Sequence, residues 1–450
     1  MNVSQVRPDF VATGNVNTGA MPLYDRRDFM RIGLTGAVGL SLLPGKLFAS
    51  SPEGVNLNAT YKVVPVGNRQ RPIVIIWLEG GMSHIDTFSP IPTAPANIRG
   101  PYSTIQTTVP GVRISEKLPL TARHADKMAI LRNIQHGDHN HSTATSLMFS
   151  GSSLVRGNTS QYDSFSVRLG RYLGEANAGY VTFNADPGNP YLYPGIGQQD
   201  SLHVRQLQLQ NTDAQNALNQ GNTPYPSPFG EDFDRARHRG RMGLLGQLNR
   251  GALNTPATER WGVLSDRANS ILDGDLNTAF DLSKVPARER DKYGRTPFGN
   301  SGLIAKRLVQ AGAPFILINK VGWDNHSQIK NELDNNLPEL DKVISSLFED
   351  LGNRAIIVIG TEFGRTPQIN GSNGRDHWPQ SSFVVIGGAG VTGRAVGELD
   401  NAGFINTRGR DGIYRGELMG PSIARAAGYE FVEERVGVLT TNKLPYYPIF

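Results

Sequence analysis

The run RPIVIIWL at residues 71–78 constrains the fold more than any other segment. It is a continuous stretch of β-branched and aromatic residues with no alternating polar position. Such a run is typical of a central strand in a parallel sheet whose two faces are both covered by helices. It ends at a Gly-Gly turn, Gly80 and Gly81, and the polar segment MSHIDTF follows directly. The pattern therefore predicts a buried strand that delivers polar side chains to one edge of a sheet.

Three further apolar runs have the same character, at 315–319, 355–359 and 383–386. Between the first two lies 328–351, where leucine and isoleucine recur at intervals of three and four and predict an amphipathic helix. Strand, polar loop, helix and strand in this order predict an α/β fold with a doubly wound, mostly parallel sheet and helices on both faces. In such sheets ligands bind beyond the carboxyl ends of the strands, so the polar loops are the candidate sites.

Histidines concentrate in these polar loops. Six of the nine lie in the segments SHID, HGDHNH, WDNH and RDHW, and each of the six has an aspartate within three positions. The chain has no cysteine, so a metal would be bound by His, Asp, Glu or water. One histidine beside an aspartate usually has no function, but four such clusters favour a shared divalent cation, zinc first, with calcium or manganese as alternatives.

The N-terminal segment 1–50 is predicted to be a leader. Arg26 and Arg27 precede an apolar run at 32–43 that is too short to span a bilayer. This combination resembles a twin-arginine export signal and implies a periplasmic or secreted protein whose single domain covers 51–450. The alternative, an N-terminal amphipathic helix of the mature protein, stays open.

Two classes of protein are disfavoured. No other segment reaches eighteen apolar residues, so no transmembrane helix is predicted. The net charge is only +5 and the basic residues form no continuous stripe, which disfavours nucleic acid as a partner.

Seven segments together resemble one bacterial family, the domain of unknown function 1501. They are RRDFMR, GGMSHIDTF, HGDHNHSTATSLMFSG, AFDLSKVPARERDKYG, GWDNH, EFGRTP and GRDHWP, in order from about residue 25 to about 430. That family in turn resembles the alkaline phosphatase and sulfatase superfamily. The resemblance implies one or two metals at the C-terminal edge of the sheet and a nucleophile at the start of a helix.

The resemblance also implies particular ligands. The WDNH loop is similar to the superfamily's Asp and His loop, and Phe363 stands where relatives have a histidine. Glu79 matches an aspartate of the superfamily, but the closer family often has no acid there, so Asp86 is preferred. The implied metal ligands are Asp86, Asp324, His326, Glu362, Asp376 and His377.

The position at which members of the superfamily carry their nucleophile corresponds to His141 in this sequence, and Ser142 follows it directly. His141 is expected to ligate metal or accept a phosphoryl group, and Ser142 to act as a hydroxyl nucleophile. Ser142 as a plain helix N-cap stays an alternative. A histidine at this position excludes a formylglycine sulfatase precursor. His84 is a candidate general acid or base.

Arginines indicate an anionic substrate, because a guanidinium offers two parallel donors to a phosphate. The expected substrate contacts are Arg365, Arg375, Ser83 and His139, with Arg365 also catalytic. The alternative for Arg365 is a structural ion pair with Glu362. Residues 155–300 are predicted to form a helical and loop excursion, in which 202–222 is either a long excursion of the chain or a lid.

Two functions follow as hypotheses. The first is an exported, metal-dependent hydrolase of phosphate or sulfate esters. The second is a non-catalytic member of the same fold that binds an anionic glycan or a partner protein in the cell envelope.

Overall fold

The computed structural model describes residues 60–67, 70–150, 180–184, 282–388, 393–406, 412–435, 438–443 and 446–447, with single positions at 165, 169, 237, 240, 241, 279 and 391. The described strands are β1 Thr60–Pro65, β2 Ile73–Leu78, β3 Thr104–Gln106, β4 Arg113–Ser115, β5 Met128–Gln135, β6 Tyr180–Asn184, β7 Phe315–Lys320, β8 Ile356–Gly360, β9 Gly364–Arg365, β10 His377–Trp378, β11 Gln380–Ile386, β12 Arg394–Val396, β13 Tyr414–Arg415, β14 Tyr429–Arg435 and β15 Val438–Lys443. The described α-helices are α1 Ala96–Arg99, α2 Pro119–Ala122, α3 His141–Ser150, α4 Ala287–Tyr293, α5 Pro297–Gln310, α6 Ile329–Leu351 and α7 Met419–Ala426.

The centre of the fold is a mixed, mostly parallel sheet in the order β12-β5-β11-β8-β2-β7-β6, with β13 beside β5. Strand β2 lies in its middle and is parallel to both β7 and β8. Strand β11 is antiparallel to β8 and to β5. The carboxyl ends of β2, β7 and β8 therefore meet at one edge, which is where their polar loops begin.

Helices cover both faces of this sheet. On one face Val74 and Ile76 of β2 belong to a core with Leu303 of α5 and Leu337 of α6. On the other face the Trp77 ring meets the Phe149 ring of α3, with centroids 4.8 Å apart. The α/β class with a doubly wound, mostly parallel sheet is thus confirmed.

The continuous apolar runs predicted the central strands well. Strands β2, β7, β8 and β11 fall on the four predicted runs, and α6 falls on the predicted amphipathic helix with its leucine stripe buried. Strand β5 was not predicted, because Arg132 and Asn133 interrupt its apolar run.

The predicted leader at 1–50 and the predicted excursion or lid at 202–222 lie outside the described residues, so both stay predictions. Among the helices that the structure describes, none combines the length and hydropathy that crossing a bilayer requires.

Candidate metal centre

The loops after β2 and β7 approach each other very closely at Gly80. Its φ of +117° is unfavourable for other residues, and a Cβ there would lie 2.4 Å from the backbone nitrogen of Asp324. The Gly80 N–H donates to Glu362 Oε1 at 2.8 Å, which joins the loop after β8 to the same point. The Gly-Gly turn after the first strand thus lets three strand-end loops converge.

Three of the predicted ligands meet there. Asp324 Oδ1 lies 3.1 Å from His326 Nε2 and 3.2 Å from His377 Nε2. The two Nε2 atoms lie 3.0 Å apart. Asp324 and His326 come from the loop after β7, and His377 begins β10, so distant parts of the chain form one cluster.

Helix α3 adds a fourth donor to this cluster. His141, its first residue, places Nε2 3.5 Å from Asp324 Oδ2. One donor atom from each of His141, Asp324 and His377 lies within 4.8 Å of the other two, which is close enough for them to share one cation. We call His141, Asp324, His326 and His377 the strand-end cluster.

The hydrogen bonds behind two of the imidazoles fix where their protons lie. His377 Nδ1 lies 2.7 Å from the carbonyl oxygen of His139, and His326 Nδ1 lies 2.8 Å from Asp376 Oδ1. Both partners accept, so each Nδ1 carries a proton and each ring turns its Nε2 atom inward. Two lone pairs facing each other at 3.0 Å repel unless a cation or a proton lies between them. A carboxylate oxygen with inward-facing imidazole nitrogens is the donor set that Zn²⁺ prefers, so these residues fit a divalent cation.

Glu362 stands behind His141. It is fully buried, and its Oε1 lies 2.6 Å from His141 Nδ1 while its Oε2 accepts from the Thr361 hydroxyl at 3.0 Å. Carboxylates of this kind commonly orient a metal-binding histidine from outside. The geometry therefore gives Glu362 an orienting position, whereas the sequence had indicated direct ligation.

The electrostatics of the cluster follow from these contacts. Burial lowers the pKa of His141, but hydrogen bonds to Asp324 and Glu362 and their charges outweigh it and raise the pKa to about 9. Burial acts to raise the pKa of Asp324, yet hydrogen bonds from His141, His377 and Arg365 hold it well below its ordinary range. Without a cation, the negative charge of Asp324 is thus balanced by the proton on His141 and by the guanidinium of Arg365.

Phe363 forms an apolar wall behind the cluster. Its ring is fully buried and lies against His141 and His377, with centroids 4.9 and 4.5 Å away. Phe363, which stands where relatives have a histidine, therefore packs against the cluster and offers it no donor atom.

Arg365 does not occupy the place that a substrate contact needs. Its side chain is buried and donates to Gly81 O at 2.8 Å, to Arg375 O at 3.0 Å and to Asp324 Oδ1 at 2.5 Å. Its carboxylate partner is Asp324, not the Glu362 that the structural alternative had proposed.

Asp86, Ser83 and Arg375 form a separate buried group. Arg375 Nε donates to Asp86 Oδ2 at 2.8 Å, and the Ser83 hydroxyl donates to the same oxygen at 2.5 Å. Arg375 also donates to the carbonyl oxygens of Ile98, Thr366 and Pro367. Asp86 is therefore committed to an ion pair and not to the cluster, and Arg375 and Ser83 are structural rather than open to a substrate. This corrects the three roles expected for them.

His84 also lies apart from the cluster. It is fully buried, neither ring nitrogen has a hydrogen-bond partner in the described part of the chain, and its ring lies against Gly364. Burial, with the charge of Arg375, lowers its pKa to about 3. A histidine so enclosed is poorly placed for proton transfer to a substrate, contrary to expectation.

The start of α3 is capped by Asn140. Its Oδ1 accepts from the backbone N–H groups of Ser142 at 3.1 Å and Thr143 at 3.3 Å. Ser142 is therefore not the N-cap, and its half-buried side chain follows directly after His141. His139 contributes its carbonyl oxygen to His377, while burial lowers the pKa of its own ring.

Two further residues shape the site: from the sequence alone, His136 has no assigned role and Asp86 is preferred to Glu79. His136 Nε2 lies 2.5 Å from the carbonyl oxygen of Glu362 and ties the end of β5 to the loop after β8. Glu79, at the end of β2, is buried, and burial raises its pKa to about 7 against the opposing hydrogen bond from Asn319. The strand-end position of both residues was the available signal.

Comparison with known proteins identifies one family. The model of the family described as "Protein of unknown function (DUF1501)" matches residues 70–410. No curated protein matches the chain.

Solved structures with a similar chain path have low identity. A protein in the alkaline phosphatase superfamily from Vibrio parahaemolyticus is 9% identical, with a TM-score of 0.39 over 84% of this chain and 71% of its own. The C-terminal periplasmic domain of EcEptC from Escherichia coli, in complex with Zn, is 10% identical, with a TM-score of 0.39 over 82% and 85%. A sulfatase from Pseudoalteromonas sp. is 11% identical, with a TM-score of 0.37 over 80% and 68%. Likeness at this level assigns no activity to the chain.

Proposed function

The chain belongs to the family described as protein of unknown function DUF1501, and from that premise we propose that it is an exported, metal-dependent hydrolase of phosphate or sulfate esters. One observation supports this most strongly. Donor atoms of Asp324 and His326, from the loop after β7, and of His377, at the start of β10, lie within about 3 Å of one another. Both imidazoles donate their outer Nδ1–H to an oxygen acceptor and turn Nε2 inward, which is the arrangement typical of metal-binding histidines.

The strand-end cluster would hold the cation. His141, His326 and His377 offer nitrogen and Asp324 offers oxygen, a set that suits zinc better than calcium, which takes six or more oxygens. Manganese stays an alternative. When bound, such a cation supplies Lewis acidity that polarises an ester oxygen and makes a water molecule more acidic.

The remaining residues of the site hold and orient. Glu362 fixes the His141 ring, the carbonyl of His139 fixes His377, and Asp376 fixes His326. Each of these acceptors leaves the inward Nε2 free to donate its lone pair. They reduce the reorganisation that binding and catalysis would otherwise require.

The cluster is open to solvent on one side. The side chains of Asp324 and His326 are about half exposed, at 49% and 47%, while those of His141 and His377 are at 24%. An ester group would approach from the exposed side. Ser142 follows His141 at the same helix end and is the hydroxyl that we propose as nucleophile.

Export completes the proposal. The RRDF motif before a short, weakly apolar run supports passage through the twin-arginine pathway, and a periplasmic or secreted location follows from it.

Metal content and turnover test the function together. Protein purified without chelator is expected to contain about one zinc per chain and to hydrolyse at least one member of a panel of aryl phosphates, phosphodiesters and aryl sulfates. The variant with Asp324 and His326 both changed to Ala is expected to lose both.

A matched control replaces His124 and Asp126, another histidine and aspartate two positions apart. His124 contacts Ser345 and Phe348, and Asp126 pairs with Lys127, so this variant is expected to keep metal and turnover. Metal-free native protein would remove the proposal. Bound metal without turnover of any ester would favour the non-catalytic binding role instead.

A further inference from the structure

Arg365 joins the loop after β2, the loop after β7 and the segment that precedes His377. Its guanidinium donates through Nε to the carbonyl oxygen of Gly81 and through Nη2 to that of Gly80, both in the loop after β2. Nη2 also donates to the carboxylate of Asp324 in the loop after β7. A further donor reaches the carbonyl of Arg375 at 3.0 Å, two residues before His377. In the β9–β10 pair, Arg365 itself lies directly opposite His377.

Burying the charged side chain of Arg365 costs free energy unless its contacts compensate for the lost hydration. Arg365 is fully buried, whereas its carboxylate partner is 49% exposed. A buried guanidinium requires full pairing. Three of its contacts are carbonyl oxygens, so the charge is balanced by Asp324 alone among its direct partners. The arginine thus reaches from the interior to hold a carboxylate that faces solvent and the imidazoles.

We propose that Arg365 is the positioning residue of the cation site, holding Asp324 in its ligating orientation before any cation binds. This inference rests on the proposed function, because it presumes that the strand-end cluster binds a cation. Arg365 donates to Oδ1, which also lies 3.1 Å and 3.2 Å from Nε2 of His326 and His377, while Oδ2 faces His141 Nε2 at 3.5 Å. The guanidinium thereby fixes a carboxylate whose two oxygens both face imidazoles of the cluster.

A lysine cannot reproduce this arrangement. Its ammonium is a single point at the end of a flexible chain, whereas Arg365 spans acceptors on three loops with a planar fork. Arg365→Lys keeps the charge and removes the fork, so Asp324 is held less firmly and the Gly80 turn loses its anchor.

Arg375 supplies a matched control. It is equally buried, and it also pairs with a carboxylate, that of Asp86. The other hydrogen bonds of its side chain go to the carbonyl oxygens of Ile98, Thr366 and Pro367, none of which belongs to the cluster. Arg375→Lys should therefore lower stability by the same kind of loss without changing the geometry of the site.

The experiment measures Zn²⁺ affinity by competition with a chromophoric chelator, and thermal unfolding of the same metal-free samples. We expect Arg365→Lys to bind Zn²⁺ about 10- to 100-fold more weakly than native protein. Arg375→Lys is expected to keep native affinity within about threefold, whatever its unfolding midpoint, because it orients no ligand. Equal weakening in both variants, or native affinity in Arg365→Lys, would overturn the inference.

A second measurement uses the native protein and so does not depend on the variant folding. Crystal structures without metal and with Zn²⁺ are expected to show the Asp324 carboxylate in one rotamer, bonded to Arg365 in both. An Asp324 that leaves Arg365 when Zn²⁺ binds would refute preorganisation. Native protein that binds no Zn²⁺ would instead refute the proposed function.

Discussion

Replacing His141 by Asn should change how the stability of the metal-free protein depends on pH. The pKa of His141 in the folded protein stands at about 9, against an ordinary value of 6.5. Burial opposes this rise, and the hydrogen bonds and charges of Asp324 and Glu362 produce it. Between these two pH values the folded protein holds a proton that the unfolded chain has released. The stabilisation is therefore fully present below pH 6.5 and is lost as the pH rises through 9.

The magnitude follows from the difference between the two pKa values. At about 1.4 kcal/mol for each pH unit, it amounts to about 3 kcal/mol. The His141 side chain is 24% exposed, so solvent screens part of the interaction and about 3 kcal/mol is an upper figure.

Urea unfolding in the presence of chelator, at pH 6 and pH 9.5, measures this directly. The free energy of unfolding of native protein minus that of His141→Asn should fall by about 2–3 kcal/mol between the two pH values. For His124→Asn the same difference should not fall, because burial lowers the pKa of His124. An equal native-to-variant difference at pH 6 and pH 9.5 would show that His141 does not lie between two carboxylates as described.

Three further predictions concern the site and the leader. Glu362→Gln should lower turnover of any ester substrate by about 10- to 100-fold, since an amide cannot accept from both His141 and Thr361, and thermal unfolding should show a folded variant. Gly80→Ala should cost about 2–4 kcal/mol in urea unfolding, because its Cβ would strike the loop after β7. Gly312→Ala, also at positive φ but with open space around it, should cost only about 1 kcal/mol. Replacing both arginines of the RRDF motif with lysine should retain a fused reporter in the cytoplasm, and continued export would contradict the leader assignment.

The sequence predicted the elements whose apolar pattern is uninterrupted. Strands β2, β7 and β8 are buried along their whole length, so nothing in them resembles a loop. Strand β5 escaped because Arg132 and Asn133 break its pattern. In the structure Arg132 donates to the carbonyls of Phe88 and Arg113, and Asn133 donates to that of Gly412, so tertiary contacts satisfy the polar groups that hid the strand.

Within the site, the position of a residue directly after a strand predicted that it would lie at the sheet edge. The sequence did not predict which residue it would pair with there. Asp324, His326 and His377 meet because parallel strands end at one edge, which a pattern of runs and loops can indicate. Asp86 follows the same kind of strand, yet it pairs with Arg375 across the loop. The residue type and spacing of Asp86 are those of a metal ligand. Only the three-dimensional arrangement shows that its partner is the guanidinium of Arg375 and not a metal ion.

Anomalous scattering from crystals grown with Zn²⁺ tests the central claim most directly. The account predicts one strong peak about 2.0–2.2 Å from an oxygen of Asp324 and from Nε2 of His326 and His377, with His141 as the fourth donor. Crystals whose cluster shows no peak, or whose zinc lies elsewhere on the molecule, would contradict it.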